Sequence, residues 1–101
     1  MYLRVTSVVL AQTATGVIRG TVGDVTGAVV PDVHATLVDD ARHQSWEQRS
    51  NQNGSFEFRA LPFGNYRIEL DHPGFTKAVI EDIALQVAQT VSVICAATVS
   101  T

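Results

Sequence analysis

Three histidines, one cysteine and two pairs of adjacent carboxylates are the residues of this chain whose types could do chemistry. His34, His43 and His72 would supply nitrogen ligands to a metal. They fall in three separate segments, however, with neither the His-x-His nor the His-Glu-x-x-His spacing that puts two imidazoles on one face, so they read as solvated surface side chains. Asp39-Asp40 and Glu81-Asp82 would suit acid–base work or calcium if each pair converged. Neighbouring positions of a strand point to opposite faces, which separates them, and turn residues are the simpler reading. Cys95 lies in the apolar run Val91-Ser92-Val93-Ile94-Cys95-Ala96-Ala97 with no base or cation near it in sequence, so it reads as a small buried hydrophobe. No nucleophile elbow or phosphate loop occurs, and Ser55 after Asn53-Gly54 is an ordinary turn serine. No catalytic residue, cofactor or metal is assigned, and the chain is not expected to be an enzyme.

Aromatic side chains offer the other chemistry. Trp46 stands in an otherwise polar stretch beside Gln44, Glu47, Gln48 and Arg49. A flat ring among hydrogen-bonding groups suits a sugar or a protein partner, which makes Trp46, Gln44, Gln48 and Arg49 the candidate contact residues. Tyr2, Phe63 and Tyr66 are further stacking candidates. A tryptophan in a small sheet protein is also a common core residue, and both readings stand at this point.

The chain that must position these groups has 101 residues, 46% of them hydrophobic and 17% charged. That is one domain, able to bury about 65% of the surface its unfolded form exposes. A single cysteine makes no internal disulfide, so packing alone must hold it. The net charge is −3 and the seven basic residues are scattered, which argues against a nucleic-acid partner. No stretch approaches the roughly 20 apolar residues of a membrane-spanning helix.

Residues 1–15 stand apart from the rest of the chain. One arginine, the short apolar run from Val5 to Leu10 and the small residues up to Ala11-Gln12 read either as the remnant of a secretory signal or as a flexible N-terminus or extra strand. Residues 16–101 form the domain proper. Residues 17–22 place Ile18, Gly20 and Val22 on one face, with Gly20 admitting a neighbouring backbone. Val33, Ala35 and Leu37 then face inward in a second strand, and residues 43–50 make a weak third.

The most informative stretch is residues 53–75. Phe56 and Phe58 alternate with Glu57 and Arg59, and Tyr66, Ile68 and Leu70 alternate with Arg67 and Glu69, the period-two signature of half-buried strands. Asn53-Gly54, Leu61-Pro62-Phe63-Gly64-Asn65 and His72-Pro73-Gly74 are its turns. A further strand is expected over residues 75–80, Ile83, Leu85 and Val87 alternate after it, and residues 91–99 read as a last strand covered on both faces. Strands at this spacing, without helical period, predict an all-β sandwich.

Gly20, Val22, Asp24, Gly27 and Ala28 to Pro31, followed by Gly54, Phe56, Phe58, Leu61, Pro62, Gly64, Tyr66, Gly74 and Phe75, resemble the carboxypeptidase regulatory-like domain. The resemblance covers residues 16–99 and implies a seven-stranded, Greek-key, transthyretin- or prealbumin-like sandwich. Asp32 stands where the family commonly has glycine. Within that family the chain looks most like the copy at the N-terminus of TonB-dependent outer-membrane receptors, where a signal peptide ends much as Ala11-Gln12-Thr13 does here.

That resemblance implies a non-enzymatic accessory or interaction module, exported to the periplasm or outer membrane, with a protein partner met by strand addition at a sheet edge. The related starch-binding-like fold implies the alternative, a carbohydrate-binding module whose glycan would meet Trp46. The self-formed Lys–Asn amide bond of collagen-adhesin B-type sandwiches is excluded, because Lys77 is the only lysine, the first strand offers Arg19 instead, and residues 91–101 contain no asparagine.

Overall fold

The computed structural model describes residues 15–99, so the readings of residues 1–14 lie outside the described residues. Among the described residues, seven strands follow one another without a helix: β1 (Gly16–Gly23), β2 (His34–Asp39), β3 (Gln44–Arg49), β4 (Ser55–Leu61), β5 (Gly64–Asp71), β6 (Ala78–Leu85) and β7 (Thr90–Ala96). They divide into a three-stranded sheet ordered β4-β1-β7 and a four-stranded sheet ordered β3-β2-β5-β6. The two strands of residues 53–75 are therefore not partners. β4 pairs antiparallel with β1, while β5 pairs with β2 and β6 in the opposite sheet. The Pro62-Phe63 link carries the chain across the sandwich.

Period-two alternation supplies the core. Ile18 and Val22 of β1, Ala35 and Leu37 of β2, Phe56, Phe58 and Leu61 of β4, and Tyr66, Ile68 and Leu70 of β5 all lie buried between the sheets. Gly20 belongs to this face for a reason different from the one expected. A Cβ there would sit 2.3 Å from Cζ of Phe56, so the missing side chain makes room for an aromatic ring and not for a backbone. Tyr66 is buried to its hydroxyl, which donates to the Pro62 carbonyl at 2.5 Å and ties β5 back to the link it came from.

Two bulges shift the pattern. In β4, the register steps from Phe58 opposite Ile18 to Leu61 opposite Gly16, and Ala60 takes a left-handed φ of 56°. In β6, Ile80 faces Ile68 and Ile83 faces Tyr66, with Asp82 at φ 60° between them. The second bulge corrects two sequence expectations. Residues 78–80 of the expected strand and Ile83 and Leu85 of the alternating run after it are one strand, because the extra residue resets its parity, while Phe75 bridges Val99 and Val87 is exposed beyond the strand. For the same reason Glu81 and Asp82 do not take opposite faces: both are exposed, opposite Arg67. Asp39 and Asp40 do separate, Asp39 fully buried and Asp40 outside.

Turn chemistry holds the ends. Asp24 Oδ1 accepts from the Thr26 amide at 2.9 Å, the Thr26 hydroxyl at 2.6 Å and the Ala28 amide at 3.0 Å, closing the loop after β1. Asp32 has φ 62°, so it occupies the left-handed conformation for which glycine is the usual residue and which aspartate tolerates better than most. Buried Ser50 then fastens β2 to the end of β3, donating to the Val30 carbonyl at 2.9 Å and accepting from the Val33 amide at 2.8 Å.

Candidate interaction surface

β3 is the least buried strand of its sheet, and its side chains sort by parity. Trp46 pairs with Leu37, so its indole turns inward. It is half-buried against the core, its ring centroid 5.9 Å from that of Tyr66 at a 59° tilt. The reading of Trp46 as an exposed contact ring is thereby corrected: the indole packs against the core from the edge strand. Gln44 and Gln48 share its side of the strand and are exposed, whereas Arg49 lies on the other face, opposite His34, with Nη1 3.2 Å from Asp32 Oδ1. The four candidate residues do not form one platform.

Gln48 and Arg49 do line an open groove of about 470 Å³ where β3 diverges from β1 and β4. Arg19 and Glu57, joined at 2.8 Å, line it too, with Thr21, Asn51 and Ser55. Phe56 reaches it but is buried. Among the described residues, the exposed aromatic ring is elsewhere. Phe63, in the β4–β5 link, is 57% exposed with the Arg42 guanidinium 5.7 Å from its centroid, in a second groove of about 510 Å³ that Asn65 also lines. Arg42 is held there by the buried Asp39 carboxylate, which it meets at 2.7 Å. The exposed position of Phe63 arises from the crossing of the link between sheets, which sequence alternation did not reveal.

The histidines stay dispersed. His34 Nε2 lies 2.9 Å from Glu47 Oε1 on the outside of β2 and β3, His43 sits in the β2–β3 turn at φ 55°, and His72 packs edge-on against Phe75. Among the described residues, no three His, Cys, Asp or Glu side chains gather where they could share a metal ion. Cys95 is buried on the inner side of β7, and burial pushes its thiol up to about 11, which leaves almost no thiolate at neutral pH.

Four strands end sheets, and they are finished differently. β3 carries Glu47 and Arg49, β4 carries Glu57, Arg59 and a bulge, and β6 carries Glu81, Asp82 and a bulge. Charges and bulges of this kind discourage a sheet edge from accepting a foreign strand. β7 has neither. Its sequence TVSVICA is uncharged, its pairing with β1 runs unbroken from Thr90 to Ala96, and Ile94 is 92% exposed. The expectation that this strand is covered on both faces is corrected: Val91 and Val93 are half-buried, Cys95 is buried, and Thr90, Ser92, Ile94 and Ala96 face outward. An apolar run here marks an open edge.

Solved structures of quite different proteins share this sandwich. The major pilin subunit BcpA of Bacillus cereus superposes with TM-score 0.65 at 19% identity, over 84% of this chain and 30% of the pilin. A putative carbohydrate-binding protein of Pseudomonas aeruginosa gives TM-score 0.58 at 18% identity, over 85% of this chain and 90% of that one. 3-Chlorocatechol 1,2-dioxygenase of Rhodococcus opacus gives 0.67 at 14%, over 88% and 62%. The chain thus spans less than two thirds of the pilin and of the dioxygenase. At these identities the likeness is one of fold alone. Among curated proteins, no sequence matches this chain. The profile of the carboxypeptidase regulatory-like domain matches residues 17–98, from the first strand to the last, and the chain belongs to that family.

Proposed function

We propose that this chain is a non-enzymatic interaction module of the cell envelope, related to the N-terminal extension of TonB-dependent outer-membrane receptors and exported to the periplasm or outer membrane. It binds a protein strand along β7. One observation carries the contact: β7 is the edge strand left without charge or bulge among the described residues. Main-chain hydrogen bonds along such an edge give affinity, and the alternating pockets beside it give selectivity. The pilin and the dioxygenase show that the sandwich serves both assembly proteins and enzymes. The dispersed histidines and the inert Cys95 favour the first kind of use here. The placement in the envelope rests on the resemblance of residues 16–99 to the receptor extensions and on the signal-like reading of residues 1–15.

A photo-crosslinking side chain at position 94, introduced into the protein in its producing cell, tests both parts. Protein adducts in the envelope fraction are expected from position 94, with far fewer from an outward position of the guarded edge such as Glu57. Equal yields from the two positions, or a protein confined to the cytoplasmic fraction, would overturn the reading.

The second reading, a carbohydrate-binding module, draws on the exposed Phe63 ring beside Arg42 and Asn65. It requires Phe63 to stack on a sugar, and a glycan titration followed by Trp46 fluorescence and by Phe63→Ala separates it from the first. Saturable binding abolished by Phe63→Ala would favour the sugar, and no response to any polysaccharide removes it.

A further inference from the structure

We infer that the strand received by β7 is β7 of a second copy, so that the chain forms a two-fold dimer whose two three-stranded sheets join into one. The inference rests on the reading of β7 as the interaction edge and names its partner.

The backbone fixes which groups are on offer. The Val17 amide donates to the Gln89 carbonyl at 2.9 Å, and the Ala97 amide donates to the Gly23 carbonyl at 2.7 Å. In a parallel pair, alternate residues direct both N–H and C=O to the same neighbour, so these two bonds set the phase along the whole strand. The odd-numbered residues of β7 bond to β1. The N–H and C=O groups of Thr90, Ser92, Ile94 and Ala96 therefore point away from the sheet, and their side chains are the exposed ones. Among the described residues, nothing pairs with the backbone groups or covers the outer surface of the edge at these four positions.

A two-fold axis normal to the sheet, passing beside Val93, brings two such edges together antiparallel. It sets Ser92 opposite the second copy's Ile94 and Thr90 opposite the second copy's Ala96, so that outward-pointing groups meet outward-pointing groups. The same axis keeps both inner faces on one side. Val91 and Val93 of each copy, half-buried in the single chain, then extend one continuous core.

Charge selects a second copy over a foreign strand of general kind. An isologous contact repeats each cross-strand pair about the axis and brings the residues beside the axis near their own equivalents, so an edge with charge near its middle repels itself. Self-pairing along β6 would crowd Glu81 and Asp82 of both copies, and the charged side chains and bulge of β4 disfavour it there too. β7 holds no ionisable side chain except Cys95, which is buried. A chain with net charge −3 adds little long-range repulsion.

Sedimentation velocity of the full chain, under reducing conditions and from micromolar to millimolar concentration, tests this. The unmodified protein is expected to pass from monomer to dimer as concentration rises. Ile94→Lys and, separately, Ser92→Lys should weaken dimerisation by about tenfold or more, since each sets the two copies' lysines diagonally across the junction as a like-charge pair. Their thermal midpoints should match that of the parent, and Thr36→Lys, on the outer face of the other sheet, should dimerise normally. Hydrogen exchange at the Ser92 and Ile94 amides should slow as the dimer fills. A protein that stays monomeric throughout, or a dimer that survives both lysine variants, overturns the inference. If the chain is monomeric while position 94 still crosslinks to a different protein in the cell, the second-copy partner falls and the edge reading stands. If neither occurs, both fall.

Discussion

The two edges of the three-stranded sheet are finished in opposite ways. At β4 the chain invests charge and backbone strain. Glu57 bridges Arg19 at 2.8 Å and Arg59 at 3.0 Å, Ala60 is held in the left-handed region, and the Asn51 amide donates to the Ser55 carbonyl at 2.8 Å, so that the end of β3 covers the start of β4. β7 itself carries no charge, bulge or left-handed residue, the Thr76 amide donates to the Thr98 carbonyl at 2.7 Å only beyond its end, and an isoleucine stands in solvent. Both strands pack on β1 and both contribute to one core. β4, antiparallel to β1, supplies Phe56, Phe58 and Leu61 to the core, whereas β7, parallel to it, supplies Cys95, so the guarded edge is also the one that holds more of the fold. An edge without such devices is the one open to a further strand.

The largest expected effect comes from emptying the core behind the β4 bulge. The extra residue at Ala60 brings Leu61, wholly buried, onto the same inner face as Phe58. Leu61→Ala should cost about 2–5 kcal/mol, as for loss of a buried leucine side chain, and urea unfolding measures it. A loss below about 1 kcal/mol would show that the bulge is incidental to the core. Trp46→Ala comes next. Truncating a fully buried tryptophan costs about 3–5 kcal/mol, and for this half-buried one about 2 kcal/mol is expected. Ile94→Lys should change stability by no more than about 0.5 kcal/mol, because the side chain is 92% exposed in the single chain. Two large apolar residues near sheet edges thus separate into a packed residue and an offered one. Equal costs for the two would erase the distinction.

The elements that alternation dictates were legible in the sequence. Ile18, Val22, Ala35, Leu37, Phe56, Phe58, Tyr66, Ile68 and Leu70 all face the core as their spacing predicts, and Cys95 is buried. What alternation could not show is pairing, which is decided between residues far apart. The position of β7 at an edge depends on β1 lying between it and β4, and no local pattern distinguishes an apolar strand covered twice from one left open. Bulges hide in the same way. The run from Ala78 to Leu85 reads as two segments until Asp82, with positive φ, is seen to insert one residue. Trp46 sat in a polar context that suggested exposure, and only its pairing with Leu37 turns it inward. The left-handed Asp32 was visible only as a departure from the family's usual glycine.

A smaller effect sharpens the contrast from the backbone side. Ala60 carries left-handed strain that glycine would relieve, worth about 1–2 kcal/mol, while glycine gives back about 0.5–1 kcal/mol through the freer unfolded chain. Ala60→Gly should therefore stabilise by about 0.5 kcal/mol, readable as a raised urea midpoint at unchanged slope. Destabilisation instead would mean that the Ala60 methyl group makes contacts that outweigh the strain. No comparable substitution exists within β7, whose residues all lie at negative φ.

The smallest effect concerns pH, at the turn that leads out of β1 beside the end of β7. Asp24 is held below its ordinary value of 3.8, first by the Thr26 hydroxyl and then by the Thr26 amide, with the Ala28 and Gly27 amides adding to it. A carboxylate lowered in the native state binds fewer protons there than in the unfolded chain. Its contribution is therefore fully present above the unfolded value and lost as pH falls through the lowered native one. The stability difference between the parent and Asp24→Ala should be constant at neutral pH and shrink as acid protonates the group. Gly23, next in the chain, pairs with Ala96 and accepts from the Ala97 amide at 2.7 Å, so loosening of this turn reaches the C-terminal end of β7. Hydrogen exchange at Ala97, corrected for its intrinsic pH dependence, should accelerate in acid more than exchange along the β1–β4 pairing at Ile18 and Phe58. A parent-to-variant difference that persists undiminished below the native value would show that Asp24 acts through its shape and not through its charge, and the accepting edge would then have no acid-sensitive end.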